Sequence, residues 1–252
     1  MNKKILVIIV ACVLVVLSGA SVYLINRQQG TVEQKNNTTT TDEITGNENL
    51  EANKDDLQFS DADDQKEIEY SFTQYKTAIL NKNSDLAIKY LSQTTIDYYG
   101  EMLSLVKNAN KTEVQSRMLI DQMMILSVRW IFDEATLSKL NNGNDMLTLA
   151  INNGLIGEQS VSGLSINSVK VSKGIAFVEL KTNNGVAPQI FKFINENNVW
   201  KIDLTSIFPE TNIVLQSLAK KSGLIEEEFI FQVLESQTGV RPSDAIWQPI
   251  SL

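Results

Sequence analysis

The chain has 252 residues, 43% hydrophobic and 21% charged, with a formal net charge of -8. That balance suits one large globular unit or two small ones. It holds no histidine and one cysteine, which excludes Ser-His-Asp and Cys-His catalysis, histidine-ligated metals, cysteine-rich zinc sites and any disulfide within one chain. Acid–base chemistry by carboxylate, lysine or tyrosine remains, as do ligand binding and a role with no chemistry; no cofactor is expected.

Lys3 and Lys4 precede an uncharged apolar run from Ile5 to Ile25, and Arg27 follows it. Its 21 residues would make a helix about 31 Å long, against a hydrocarbon core of roughly 30 Å. The flanking charges place the N-terminus in the cytoplasm and the rest outside. Ile5–Leu17 also has the length of a signal-peptide core, with Ser18-Gly19-Ala20 as a small-residue cleavage site. Val22–Ile25 extends the run to full spanning length, so an uncleaved single-pass anchor is the expectation and secretion after cleavage near Ala20 the alternative. Cys12 reads as a small apolar residue in that run. The scarcity of cysteine beyond it fits a bacterial cell-envelope protein.

Residues 28–63 read as a disordered, acidic linker rich in Thr and Asn, including "NNTTTTDE" and "GNENLEANKDD". Residues 28–67 hold 11 acidic and 3 basic side chains, so the chain from Ile68 onward nets only -3. With no basic stripe there, nucleic acid is not an expected partner. As a coil of about 36 residues the linker would reach ~35 Å, a spacer between membrane and domain.

Residues 64–252 read as a single α+β domain. Ile68, Phe72, Tyr75 and Ile79 recur at helical spacing. Ser84 is placed as N-cap of a short helix through Leu91. Ile96, Tyr99, Leu103 and Val106 predict a third helix to about Lys107. Thr112-Glu113 opens what reads as the longest helix, with Val114, Met118, Ile125, Val128, Ile131 and Phe132 as its apolar set. Asn141-Asn142-Gly143 and Asn153-Gly154 are expected to end two further helical pieces.

After Gly157 the period becomes two. Leu164/Ile166 and Val169/Val171 alternate across a one-residue slip that predicts a bulge. Turns at Ser172-Lys173-Gly174, Asn183-Asn184-Gly185 and Glu196-Asn197-Asn198 separate alternating runs, giving a four-stranded antiparallel meander. Pro209-Glu210 and Glu226-Glu227-Glu228 open two closing helices, ended by Gly223 and by Gly239 with Pro242. The second of these is expected to pack on the sheet, and the tail from Arg241 to dock back as an extended arm.

The stretch "YSFTQYKTAILNKNSDLAIKYLSQTTIDYYGEML" followed by "IAFVELKTNNGVAPQIFKFINENNVWKIDL" resembles the nuclear transport factor two-like superfamily over Asp64–Ile207. The resemblance implies a cystatin-like cone, a curved sheet around helices. The long helical region over Thr95–Asn153, the helices after Phe208 and the lack of a first strand between the early helices depart from that pattern. Members include isomerases, dehydratases, cyclase-like enzymes and non-catalytic envelope domains, so the fold does not fix an activity.

Enzymes of that superfamily commonly use an Asp or His with a Tyr inside the cone. Here Asp121 and Asp97, with Tyr98 or Tyr99, are the helix-borne acid and phenol candidates. Arg129-Trp130 reads as a buried cation for an anionic ligand or as a snorkelling side chain. Phe177, Phe191, Phe193 and Trp200 are the residues expected to line a cavity for a small apolar ligand. Trp247 reads as a partner anchor or as a pin holding the tail. Glu226–Glu228 point in different directions on a helix and are not expected to bind metal. The first functional expectation is a non-catalytic, membrane-anchored extracytoplasmic interaction domain for an envelope protein or cell-wall component. A carrier or sensor of a small apolar ligand and a cone-type isomerase or dehydratase are the alternatives.

Overall fold

Helix α1 (Ala62–Leu80) carries Asp63 and Asp64 in its first turn, where the helix dipole favours negative charge. Ile68, Phe72, Tyr75 and Ile79 form its buried stripe, as their spacing predicts. The structure is a computed structural model and describes residues 62–182 and 185–250. The membrane segment, Cys12 and the linker up to residue 61 lie outside the described residues, as do Asn183 and Asn184.

Helix α2 (Ser84–Lys89) is capped by Asn83, whose side chain accepts from the Leu86 amide at 3.1 Å. The cap is therefore not Ser84, which is the first helical residue and is buried. Leu91 leaves the helix to bridge Ile202 in parallel, and Ser92 caps α3 (Gln93–Asn108). Asn110 and Glu113 close a capping box on α4 (Lys111–Gln115).

The long helix expected from Thr112 is broken in two. After α4 the chain turns through Ser116–Met118, and α5 runs from Leu119 to Ile131. The break is held by partners that a continuous helix would not allow. The Ile120 amide donates to Asn212 Oδ1 at 3.2 Å, and Gln122 Nε2 donates to the Arg117 carbonyl at 2.9 Å.

A short α6 (Glu134–Leu137) follows. Asn142 then caps α7 (Gly143–Asn152), accepting from the Asp145 amide, so Asn141-Asn142-Gly143 starts a helix instead of ending one. Gly154, at φ 74, does end it. The brief α8 (Glu158–Val161) leads into the sheet.

Strands β1 (Ser165–Ser172), β2 (Ile175–Thr182), β3 (Gly185–Glu196) and β4 (Val199–Asp203) pair antiparallel in sequence order. The register slips between Ile166 and Ser168, where the bulge is expected. Lys173-Gly174 and Asn197-Asn198 form two-residue turns with positive φ throughout, the geometry that matches strand twist. β4 stops at Asp203, and a 3-10 turn (Leu204–Ile207) feeds α9 (Phe208–Ser222).

One face of the sheet, with Val178, Phe193, Trp200 and Ile202, is buried. Helices α1 and α3 lie against it through β4, and α1 also reaches β1. α7 packs behind α3, and α5 carries α9. The last helix, α10 (Glu226–Thr238), packs on α5 and α9 rather than on the sheet, whose inner face α1 and α3 already occupy. The tail closes as a buried 3-10 turn (Asp244–Trp247), not an extended arm, and the Ile250 amide donates to the Lys107 carbonyl. The fold is thus α+β, ten helices and a four-stranded antiparallel sheet among the described residues. None of those helices is long and apolar enough to cross a membrane.

Candidate functional site

Strict alternation in β2 buries Ala176, Val178 and Leu180 and turns Ile175, Phe177, Glu179 and Lys181 the other way. The register assembles a second surface from them. Phe177 stands between Lys170 of β1 and Lys192 of β3. Ile175 pairs with Ile194, which pairs in turn with Lys201 of β4, and Glu179 pairs with Ile190. Phe177 is 42% exposed and Ile190 48%. The outer face therefore carries exposed apolar side chains with lysines around them.

The electrostatics of this outer face are mixed but lean positive. Lys192 lies 3.6 Å from Asp203, and Lys201 lies 3.2 Å from Glu196. Glu179 accepts from Ser168 Oγ at 2.6 Å and Asn167 Nδ2 at 3.3 Å, bonds that hold its carboxyl below the usual range. Residues 165–203 contain five lysines and three acids, a net of +2; the rest of the chain from Ile68 has 11 basic and 16 acidic residues, a net of -5. The sheet is slightly positive within a domain that is negative overall.

Phe191, Phe193 and Trp200 are all buried on the inner face, whereas Phe177 projects from the opposite face. The four do not converge, because residues an odd number apart on one strand, or paired with inward residues across the ladder, take opposite sides. The cavity beside Phe191, bounded also by Phe72, Tyr75 and Leu180, measures about 10 Å³, space for one water at most. Two open grooves meet at Leu80. The larger, about 450 Å³, is lined by Phe72, Lys76 and Ile166, and the smaller, about 330 Å³, by Ile79, Lys82 and Glu158.

Arg129 neither snorkels nor faces a ligand space. Its guanidinium donates to the carbonyls of Leu105, Val106 and Ala109 at 2.6–2.9 Å, and to that of Ile246 at 3.2 Å. It therefore caps the C-terminus of α3 and ties down the tail. Burial lowers its pKa to about 10, which leaves it charged at neutral pH. Trp130 is half-buried and donates from Nε1 to Thr238 Oγ1 at 3.0 Å. Trp247 is 1% exposed, stacked on Phe231 at 6.1 Å with Lys111 Nζ 5.0 Å from its ring centre. It pins the tail and offers nothing to a partner.

Among the acid and phenol candidates the structure joins two. The Tyr98 hydroxyl donates to Asp121 Oδ1 at 2.5 Å. Tyr99 is buried and touches Tyr98 edge-on, and Asp97 is exposed, accepting from Gln93 Nε2. Phe208 covers the Tyr98 ring at 5.0 Å, and neither Tyr98 nor Asp121 lines any of the three cavities described above. The pair is a phenol-to-carboxylate hydrogen bond set between two packed helices. Glu227 takes Lys111 and Glu228 takes Arg241, and among the described residues no cluster of carboxylates or cysteine could hold a metal ion.

Comparison with protein-family models, curated proteins and solved structures finds no match for this chain. The surface that stands out is one that sequence periodicity alone did not single out. Its signal was present in β2, where Phe177, Glu179 and Lys181 share a parity opposite to Ala176, Val178 and Leu180.

Proposed function

We propose that this chain is a membrane-anchored, extracytoplasmic interaction domain without catalytic activity, which meets its partner through the outer face of its sheet. The observation that carries the reading is the contrast between the two faces: Phe193 is fully buried inside, while Phe177 and Ile190 are exposed outside among lysines. The apolar run Ile5–Ile25 and the acidic stretch after it support a single-pass anchor and a spacer at the cell membrane. Residues 64–207 resemble the non-catalytic envelope type of the nuclear transport factor two-like superfamily, and the helices-then-sheet order agrees with that proposal. The partner is an envelope protein or cell-wall component that presents apolar groups beside negative charge. Nucleic acid and cofactors have no place in it.

The filled inner face argues against a carrier of a small apolar ligand, and the enclosed setting of Tyr98 and Asp121 argues against an isomerase or dehydratase. The test is bifunctional crosslinking of the full chain in its own envelope. The wild type is expected to give a discrete adduct with another envelope component, and Phe177→Asp with Ile190→Asp to lose it without loss of fold. An adduct that survives both substitutions would overturn the reading.

A further inference from the structure

We infer that the outer edge of β1 takes up an extended segment of a protein partner as a fifth strand, with an acidic side chain opposite Lys170 and apolar side chains at the alternate, inward positions. The edge offers main-chain groups, so the inference stands without the reading of the outer face as the partner surface.

The two edges of the sheet differ. At β4 the Ile202 amide donates to the Tyr90 carbonyl at 2.8 Å and the Ser92 amide to the Ile202 carbonyl at 2.9 Å, so the chain around Leu91 covers that edge. At β1 no strand or loop of the described residues bonds the outer side of Ile166–Val171. The register fixes which groups stand open there. The Asn195 amide donates to the Gly174 carbonyl at 2.8 Å. Ile175 and Ile194 are therefore a non-hydrogen-bonded pair, and Ile175 turns its own main chain towards Ser172. Alternation then aims the N–H and C=O of Lys170 at β2, and those of Val169 and Val171 away from it. Such a row is a template for a further strand.

The space beside this edge suits one. An open groove of about 450 Å³ lies between β1 and α1, with Phe72, Leu80 and Ile166 in its lining. It follows α1 from Glu69 to Leu80, about 16 Å, the length of five extended residues. Inward side chains of an added strand enter it, against Leu80, which is 45% exposed. Charge sets the residue between them. Lys170 is exposed on the outer face and makes no ion pair among the described residues. Glu179, diagonal to it across the ladder, is taken by Ser168 and Asn167. An acid opposite Lys170 on the added strand pairs with it. A second copy of the chain fits less well. The two-fold register that uses both valines pairs residue 169 with residue 171 of the other copy, and it sets Lys170 against its own counterpart in the closer, non-hydrogen-bonded pair.

The test uses the purified full chain in zwitterionic bilayer vesicles and a fluorescein-labelled peptide, Val-Thr-Val-Glu-Val-Thr-Val. Its twin carries Lys in place of Glu. Fluorescence anisotropy reads binding, and hydrogen exchange resolved to single amides reads the place. The Glu peptide is expected to bind the wild type severalfold more tightly than the Lys peptide, and Lys170→Glu, a change on the exposed face, to reverse that order. At about ten times Kd the Val169 and Val171 amides should exchange roughly tenfold more slowly. Methylating the nitrogens of the two valines beside Glu leaves the protein untouched and should abolish binding, since main-chain donors are lost. Failure of the Glu peptide to bind, exchange at 169 and 171 unchanged by it, an order of preference that Lys170→Glu does not reverse, or equal binding of the methylated peptide overturns the inference. So does protection of 169 and 171 that needs no peptide and rises with chain concentration, the sign of a second copy.

Discussion

The Tyr98 hydroxyl and the Asp121 carboxylate meet at 2.5 Å across the α3–α5 interface, with Asp121 only 4% exposed. Burial pushes the Asp121 carboxyl above its ordinary value of 3.8, against the opposing pull of the Tyr98 bond and Arg117. A raised folded-state pKa means that the native state holds more proton than the unfolded state just above 3.8. The stability linked to this group is full below that pH and is lost as pH rises through the folded value. Asp121→Asn cannot titrate but keeps an oxygen for Tyr98. The stability of wild type relative to this variant should therefore fall as pH rises from about 4 to 7, measured by urea unfolding at several pH values. A flat difference would contradict the assignment.

Two tyrosines on neighbouring helices should respond in opposite ways to loss of the hydroxyl. Tyr98→Phe strips Asp121 of its hydrogen bond and should cost roughly 1.5–3 kcal/mol. The Tyr75 hydroxyl is buried without a hydrogen-bond partner, and burial raises its pKa. Tyr75→Phe removes that desolvation penalty and should stabilise the domain by about 1 kcal/mol. Unfolding midpoints of the two variants check both signs.

Arg129 joins the end of α3 to the tail through four carbonyls. Arg129→Met leaves these acceptors unpaired and should cost on the order of 3 kcal/mol. Arg129→Lys should recover less than half of that, because one ammonium cannot reproduce the guanidinium fork. Limited proteolysis should then cut within residues 239–250 in both variants before it cuts elsewhere within residues 62–250.

Gly143 sits where the start of α7 meets α3. A Cβ there would lie 2.0 Å from the Ile96 carbonyl oxygen, whereas one at Gly100 would lie 3.6 Å from the Gly143 nitrogen. Gly143→Ala should therefore destabilise by about 3 kcal/mol through overpacking. Gly100→Ala, inside α3, should gain roughly 0.5–1 kcal/mol from helix propensity. Urea titration of the pair separates close approach from propensity.

Local signals carried the sequence reading well where the chain satisfies itself locally. The stripe Ile68–Ile79 and the left-handed Gly223 and Gly239 all form where their spacing places them. Prediction failed where distant partners decide. No Gly or Pro marks the break at Ser116–Met118, and the bonds that hold it include one to Asn212. Asn142 can end one helix or cap the next, and the Asp145 amide makes it a cap. Trp247 read as either a partner anchor or a pin, and the packing of Phe231 and Lys111 decides for the pin. The outer face was half legible. Parity sets Phe177 apart from Val178, but only the strand register brings Ile190, Lys170 and Lys192 around it.

The outer face as the working surface is tested most directly by photocrosslinking in the native envelope from single positions. Probes at 177 and 190 face out of the sheet, and a probe at Ile213 on α9 is more exposed still, at 67%, but lies away from it. Binding through the sheet predicts adducts with one and the same second molecule from 177 and 190 and none from 213. Equal adducts from all three positions, or adducts from 213 alone, would contradict it.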